Sequence, residues 1–157
     1  MKILITGATG FVGKHLVKYL KDKHKLYILV RSDSDYSSLC VKQAFTFVDN
    51  IDQLAEYLCH EKIDGIIHLA SLYVVEHKSE QLKDLMLANI YLGTAILEAC
   101  KKASVKWFLN TGTIWQNYDV PDKSDEYNPV NLYAASKQAF ITMAKYYIET
   151  SHIRFCT

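Results

Sequence analysis

The run Tyr133-Ala-Ala-Ser-Lys137 sets a phenol and an ammonium four residues apart. On a helix such residues share a face, so the lysine charge can sit close to the phenol oxygen and favour its ionised form. A tyrosine that ordinarily titrates at ~10 can then exchange protons closer to neutral pH. Asn128-Pro-Val-Asn-Leu-Tyr133 opens that helix, with Pro129 suited to its first turn or the approach to it. Both side chains therefore fall near a helix start, where the positive end of the peptide dipoles favours phenolate further. Upstream, residues 105–110 run into Thr111-Gly112-Thr113, and either hydroxyl can hydrogen-bond a substrate carbonyl. Reduction of a ketone develops negative charge on its oxygen, so a proton donor and a second, orienting hydroxyl are the minimum equipment. Tyr133 and Thr111 fit those roles. A Tyr-xxx-Lys pair alone is common on amphipathic helices, and it gains meaning from the elements that place it.

Those elements alternate. Short β-rich runs at residues 2–6, 26–30, 45–48, 65–70 and 105–110 are separated by helical patterns at 12–21, 53–60, 82–102 and 132–149, and a short helix fits 36–41. Continuous apolar runs such as Ile63-Asp-Gly-Ile-Ile-His-Leu-Ala70 belong to strands covered on both faces. The pattern predicts an α/β fold with a doubly wound parallel sheet. Right-handed crossovers then bring the carboxyl ends of all strands to one edge, with a ligand crevice where the strand order reverses. The 157 residues fit one domain.

Gly7, Gly10 and Gly13 fall where the first strand hands over to the first helix. Side chains at the first two positions would block a tight turn and the approach of a pyrophosphate to backbone N–H groups, and the third glycine permits close helix–sheet packing. The helix N-terminus then faces the phosphates with its positive end. This is the arrangement that binds a dinucleotide, and with the Tyr133/Lys137 pair it points to nicotinamide redox chemistry. The end of the second strand selects between the two nicotinamide cofactors, since an acid there bonds the ribose hydroxyl and a basic residue accommodates a 2'-phosphate. The chain has Arg31, with Ser32 and Ser34 able to add hydrogen bonds and Asp33 and Asp35 opposing a phosphate. NADP is favoured over NAD on that balance. By the same strand-end rule Asp49 meets the adenine amino group, and Ala70 and Ser71 lie where the backbone passes the middle of the cofactor.

Eighteen basic side chains against seventeen acidic ones leave a net charge of +1, which argues against nucleic acid or an anionic membrane as the main partner. The lysines at 14, 18, 21, 23 and 25 read as the wet face of an amphipathic helix. Cys40, Cys59, Cys100 and Cys156 form no CxxC pair, so neither a zinc site nor a disulfide framework is indicated. The histidines show no metal-ligand spacing and read as surface or core residues. No stretch reaches the ~18 apolar residues of a membrane span, and the opening residues carry too short an apolar run for a signal peptide. A cytoplasmic location is the expectation.

Taken together, Thr6-Gly-Ala-Thr-Gly-Phe-Val-Gly13, Ile66-Ile-His-Leu-Ala70, Asn89 in Ala-Asn-Ile-Tyr-Leu-Gly-Thr, Asn110-Thr-Gly-Thr113 and Tyr133-Ala-Ala-Ser-Lys137 resemble the extended short-chain dehydrogenase/reductases, the NAD-dependent epimerase/dehydratase family. The resemblance covers the whole chain. It implies a Rossmann-like three-layer αβα fold, a bound NAD(P), a nucleotide-activated sugar as substrate and a homodimer built on the patterns at 82–102 and 132–149. It also implies Thr111, Tyr133 and Lys137 as the catalytic set, with the lysine bonding the nicotinamide ribose. Cofactor contacts are expected from Gly7, Thr9, Gly10, Phe11, Val12, Gly13, Arg31, Ser32, Asp49, Asn50, Leu69, Ala70, Ser71, Asn89, Tyr133 and Lys137.

Departures from the family pattern narrow the expectation. Members that dehydrate a sugar carry an Asp-Glu pair directly after the threonine, whereas this chain has Gly112-Thr113, which disfavours elimination of water. The wording from Asn110 to Gln116 and from Tyr127 to Tyr133 is similar to ketosugar reductases of the abequose synthase type. Residues 153–157 begin an apolar strand with no turn, cap or polar tail behind it, which reads as a chain cut short before a substrate-binding lobe. The other reading of that segment is a sixth, edge strand. The expected activity is reduction of a 4-keto sugar nucleotide. Its rivals are an epimerase that keeps NAD bound and a non-catalytic NADP-sensing or scaffold protein.

Overall fold

The computed structural model describes residues 1–39, 41–117 and 127–157. Apolar runs form six strands, β1 (Lys2–Thr6), β2 (Lys25–Val30), β3 (Gln43–Thr46), β4 (Gly65–His68), β5 (Trp107–Asn110) and β6 (Arg154–Cys156). The helices are α1 (Phe11–Leu20), α2 (Ile51–Glu61), α3 (Leu82–Met86), α4 (Leu92–Lys102) and α5 (Leu132–Thr150). All strand pairs are parallel, in the order β3-β2-β1-β4-β5-β6, so the order reverses between β1 and β4. The sequence expectation of a doubly wound parallel sheet holds, and Arg154–Cys156 pairs with β5 as the sixth strand at the sheet edge.

Strand alternation fills both faces. Ile3, Ile5, Leu26, Ile28 and Ile67 pack with Val17 of α1 on one side. Leu4, Tyr27, Leu29, Ile66 and Phe108 pack with Leu54, Leu58, Ile96, Phe140 and Ala144 of α2, α4 and α5 on the other. Each fully buried side chain of this kind stabilises the fold by roughly 1.5–3 kcal/mol. No helix among the described residues is long and apolar enough to cross a membrane.

Two local expectations are corrected. The pattern at 82–102 is not one regular helix, because a π-helical turn at Leu87–Tyr91 separates α3 from α4. The segment at 36–41 forms no helix among its described residues, Cys40 lying outside them. The Asp35 carboxylate accepts from both the backbone N–H and the hydroxyl of Ser37, giving the backbone an alternative to the helical ladder.

Candidate active site

The turn after β1 is built on backbone contact. Gly7 adopts φ +68, and a Cβ there would lie 2.7 Å from the Ala70 nitrogen. A Cβ on Gly13 would lie 2.2 Å from the Gly7 carbonyl oxygen, so α1 is seated directly on the turn. Gly10 is less confined, its nearest Cβ neighbour being the Gly7 oxygen at 3.3 Å. It caps α1 with no side-chain hydrogen bond, and Phe11 and Val12 beside it are exposed. The first N–H groups of α1 are thus left without side-chain acceptors, with the helix dipole behind them. Thr9 is half-buried within the same turn.

The ends of β1 and β4 are joined by a buried polar chain. The Ala70 N–H donates to Thr6 Oγ1 at 3.1 Å, and Thr6 Oγ1 lies 2.8 Å from Nδ1 of His68. Burial, with a smaller contribution from the nearby Lys137 charge, lowers the His68 pKa from 6.5 to about 3. His68 is therefore a neutral core histidine, wedged against the rings of Phe108 and Phe140. Its backbone oxygen accepts from the N–H and the hydroxyl of Thr111, at 3.3 and 3.2 Å. Those bonds hold Thr111 at the end of β5, beside the end of β4. The second hydroxyl, Thr113, caps the turn Ile114–Gln116.

Asn131 starts α5, its Oδ1 accepting from the Ala134 N–H at 2.8 Å. Tyr133 and Lys137 follow within the first turns, both buried. Lys137 is 2% exposed, and among the described residues its ammonium has no hydrogen-bond or ion-pair partner. Burial lowers its pKa from 10.5 to about 8. No hydrogen bond joins it to Tyr133 among the described residues. Instead the Tyr133 ring meets the edge of Tyr73, with centroids 5.0 Å apart, and Tyr73 in turn contacts Trp115. A cavity of about 350 Å³ lined by Val75, Glu76, Trp115, Val130 and Asn131 adjoins this aromatic frame. The frame was not foreseen from sequence, although aromatics just beyond the ends of β4 and β5 were the available signal.

Helix α5 is tied to its surroundings through two amides. Gln116 accepts from the Thr113 N–H and donates to Gln138 of α5, both at 2.8 Å. Asn89, in the π turn, donates to the Leu72 carbonyl and to Ser136 Oγ, and accepts from the Leu72 N–H. The Asn89 amide is thus committed to protein partners, fixing the segment after β4 against α5.

The remaining expected cofactor residues lie along the same sheet edge. Arg31 and Ser32 follow β2 and are exposed, with the Arg31 guanidinium 3.4 Å from Asp33. Asp49 and Asn50 follow β3, where Asp49 accepts from the Tyr91 hydroxyl and Asn50 caps α2. Leu69, Ala70 and Ser71 follow β4, with Leu69 and Ala70 against Gly7. A glycine cradle that a Cβ would fill, an open helix start and an unpartnered buried ammonium on one edge fit a dinucleotide carrying phosphates and ribose hydroxyls.

The sequence profile of the NAD dependent epimerase/dehydratase family matches residues 3–157. The chain is 31% identical to a CDP-abequose synthase from Salmonella muenchen, over 94% of this chain and 48% of that protein. It is 35% identical to a dTDP-D-glucose 4,6-dehydratase from Dictyostelium discoideum, over 87% of this chain and 38% of the relative. Its fold superimposes on a UDP-glucuronic acid 4-epimerase from Bacillus cereus, solved with UDP-glucuronic acid and NAD, at a TM-score of 0.82 and 22% identity. That match covers 99% of this chain and 55% of the other. The chain spans about half the length of the curated relatives it matches.

Proposed function

The chain belongs to the NAD-dependent epimerase/dehydratase family, and from that premise we propose that it is the cofactor half of a reductase acting on the keto group of a nucleotide-diphosphate sugar. The observation that carries the reading is Lys137, a buried side chain whose ammonium has no hydrogen-bond or ion-pair partner among the described residues, one turn from Tyr133. A desolvated cation so placed is stabilised by ribose hydroxyls and by a phenolate, which are what a bound nicotinamide nucleotide and a proton-donating tyrosine provide. Gly7, Gly10 and Gly13 admit the pyrophosphate, Asp49 serves the adenine, and Ala70 and Ser71 flank the middle of the dinucleotide. The CDP- and dTDP-linked chemistry in the names of the relatives supports the substrate class.

When bound, the nicotinamide supplies the hydride. The protein supplies the rest. Thr111 orients the carbonyl oxygen, exchanging its bond to the His68 carbonyl for one to substrate. Tyr133 gives its phenolic proton to the oxygen as negative charge develops there. Lys137 stabilises the resulting phenolate, which regains its proton from solvent. Tyr73 packs in a T-shaped contact with the Tyr133 ring and is itself in contact with Trp115, which limits rotation of the Tyr133 ring. Gly112-Thr113 puts no acid and base after Thr111, which supports reduction over dehydration.

Arg31 supports NADP, its guanidinium being the cation available to a 2'-phosphate at the end of β2. The Asp33 carboxylate 3.4 Å away favours the second reading, an epimerase that retains NAD, because it offsets the charge a 2'-phosphate needs. Cofactor consumption separates the two. Stoichiometric oxidation of NADPH with a nucleotide-linked 4-keto sugar is the result expected of a reductase, and turnover without added cofactor supports the epimerase. Tyr133→Phe is expected to lower kcat by roughly 10²–10⁴-fold. A variant with full turnover would remove Tyr133 from the mechanism.

A further inference from the structure

The π turn at Leu87–Tyr91 ends on a tyrosine whose hydroxyl donates to Oδ1 of Asp49, 42 residues away in sequence, at 2.5 Å. Each side of this contact is unusual. Asp49 holds φ +56, a left-handed conformation that costs a non-glycine residue free energy and concentrates at ligand sites. Asn50 directly after it caps α2, so the backbone of Asp49 is pinned while its side chain stands exposed beyond β3. A π turn takes i→i+5 hydrogen bonding, admits an extra residue into the helix and is frequent at functional positions. Here the turn directs Asn89 inward to Leu72 and Ser136 while Tyr91, two residues on, reaches Asp49.

We propose that Tyr91 is a positioning residue for purine recognition: it holds one oxygen of the Asp49 carboxylate so that the other is fixed as the acceptor for the 6-amino group of adenine. The proposal rests on the dinucleotide reading above. A carboxylate on an exposed loop otherwise loses rotamer freedom when it binds, and a partner that fixes it beforehand removes that cost. The hydrogen bond to Asp49 is also the leading cause of the raised Tyr91 pKa, so the hydroxyl remains a donor across the neutral range. Asp49 Oδ2 has no protein partner among the described residues, and one oxygen held with one free suits a single amino donor.

The test compares two dinucleotides by titration calorimetry on the 157-residue chain: NAD, and nicotinamide hypoxanthine dinucleotide, in which an oxo group replaces the 6-amino group. The 2'-phosphorylated pair is run in parallel. Wild type is expected to prefer the adenine form by at least about tenfold, the worth of a hydrogen bond to a charged group. Asp49→Asn abolishes the preference. Tyr91→Phe reduces it to about threefold or less and leaves affinity for the hypoxanthine form within about twofold of wild type. Loss of affinity for both forms in equal measure assigns Tyr91 a merely structural role and overturns the proposal. An unchanged preference overturns it as well, as does a larger preference, which would make Tyr91 a competitor for Asp49. A wild-type chain that binds both forms equally removes adenine recognition by Asp49 and the inference with it. A chain that binds no dinucleotide overturns the cofactor reading itself.

Discussion

Lys137 and His68 are buried bases of the site, and both make stability rise with pH, each in its own window. The Lys137 pKa falls from 10.5 in the unfolded chain to about 8 when folded, so between those values the unfolded chain holds the proton and the folded chain has released it. Stability then rises with pH through that interval. His68 falls from 6.5 to about 3, so the unfolded chain gains a proton below 6.5 that the folded chain refuses until about 3. Stability contributed by the neutral imidazole is lost as pH drops through that window. Burial also raises the Cys100, Tyr57 and Tyr147 pKa values and draws stability down at alkaline pH, so the Lys137 contribution is read against Lys137→Met. The urea midpoint of wild type is expected to gain on that of the variant from pH 8 to 10.5, and His68→Leu is expected to flatten the acid fall. A wild-type midpoint that gains nothing on that of Lys137→Met between pH 8 and 10.5 would contradict the burial argument for Lys137. At this scale the sequence pattern placed Tyr133 and Lys137 at the start of α5 and Thr111 just after β5, where they lie, whereas the Tyr73–Trp115 contact depends on two loops meeting in space, and aromatics beyond the strand ends gave no pairing.

The glycine turn separates folding from binding. Gly13→Ala drives a Cβ into the Gly7 and Ala8 backbone, at 2.2 and 2.6 Å, and backbone cannot swing aside as a side chain can. The expected loss is about 2–4 kcal/mol or failure to fold. Gly10→Ala meets only the Gly7 oxygen, at 3.3 Å, so the expected loss of stability is under about 1 kcal/mol. It nonetheless places a methyl group where the pyrophosphate approaches, and dinucleotide affinity should fall more than about tenfold. Thermal melts paired with NADPH titration check the contrast, and equal effects of the two variants on stability would undo it. Element boundaries were legible where patterning was strong, β1 at Lys2–Thr6 matching its apolar run residue for residue. The π turn escaped because α3 and α4 are both dense in apolar residues, and one inserted residue shifts the buried stripe without breaking the pattern. The false helix at 36–41 failed through a side chain, Asp35, that periodicity does not weigh.

For the whole molecule, the parallel sheet and its strand reversal followed from alternation alone, while the association of copies does not follow from any one segment. Leu87 of the π turn and Met143, Tyr146 and Ile148 of α5 are exposed, and pairing of these faces between two copies is the expected state. Sedimentation velocity at micromolar concentration should give a dimer that Tyr146→Glu dissociates, and a monomeric wild type would count against it. The strand order bears finally on how the molecule is made. β1 lies inside the sheet between β2 and β4, and the Thr6–His68 contact that closes the β1–β4 pair spans 62 residues. At a synthesis rate of roughly 5–20 residues/s, those 62 residues take about 3–12 s to emerge. Throughout that delay one edge of a strand as apolar as Ile3-Leu4-Ile5 stays open on the nascent chain, and that edge is where chaperone capture should fall.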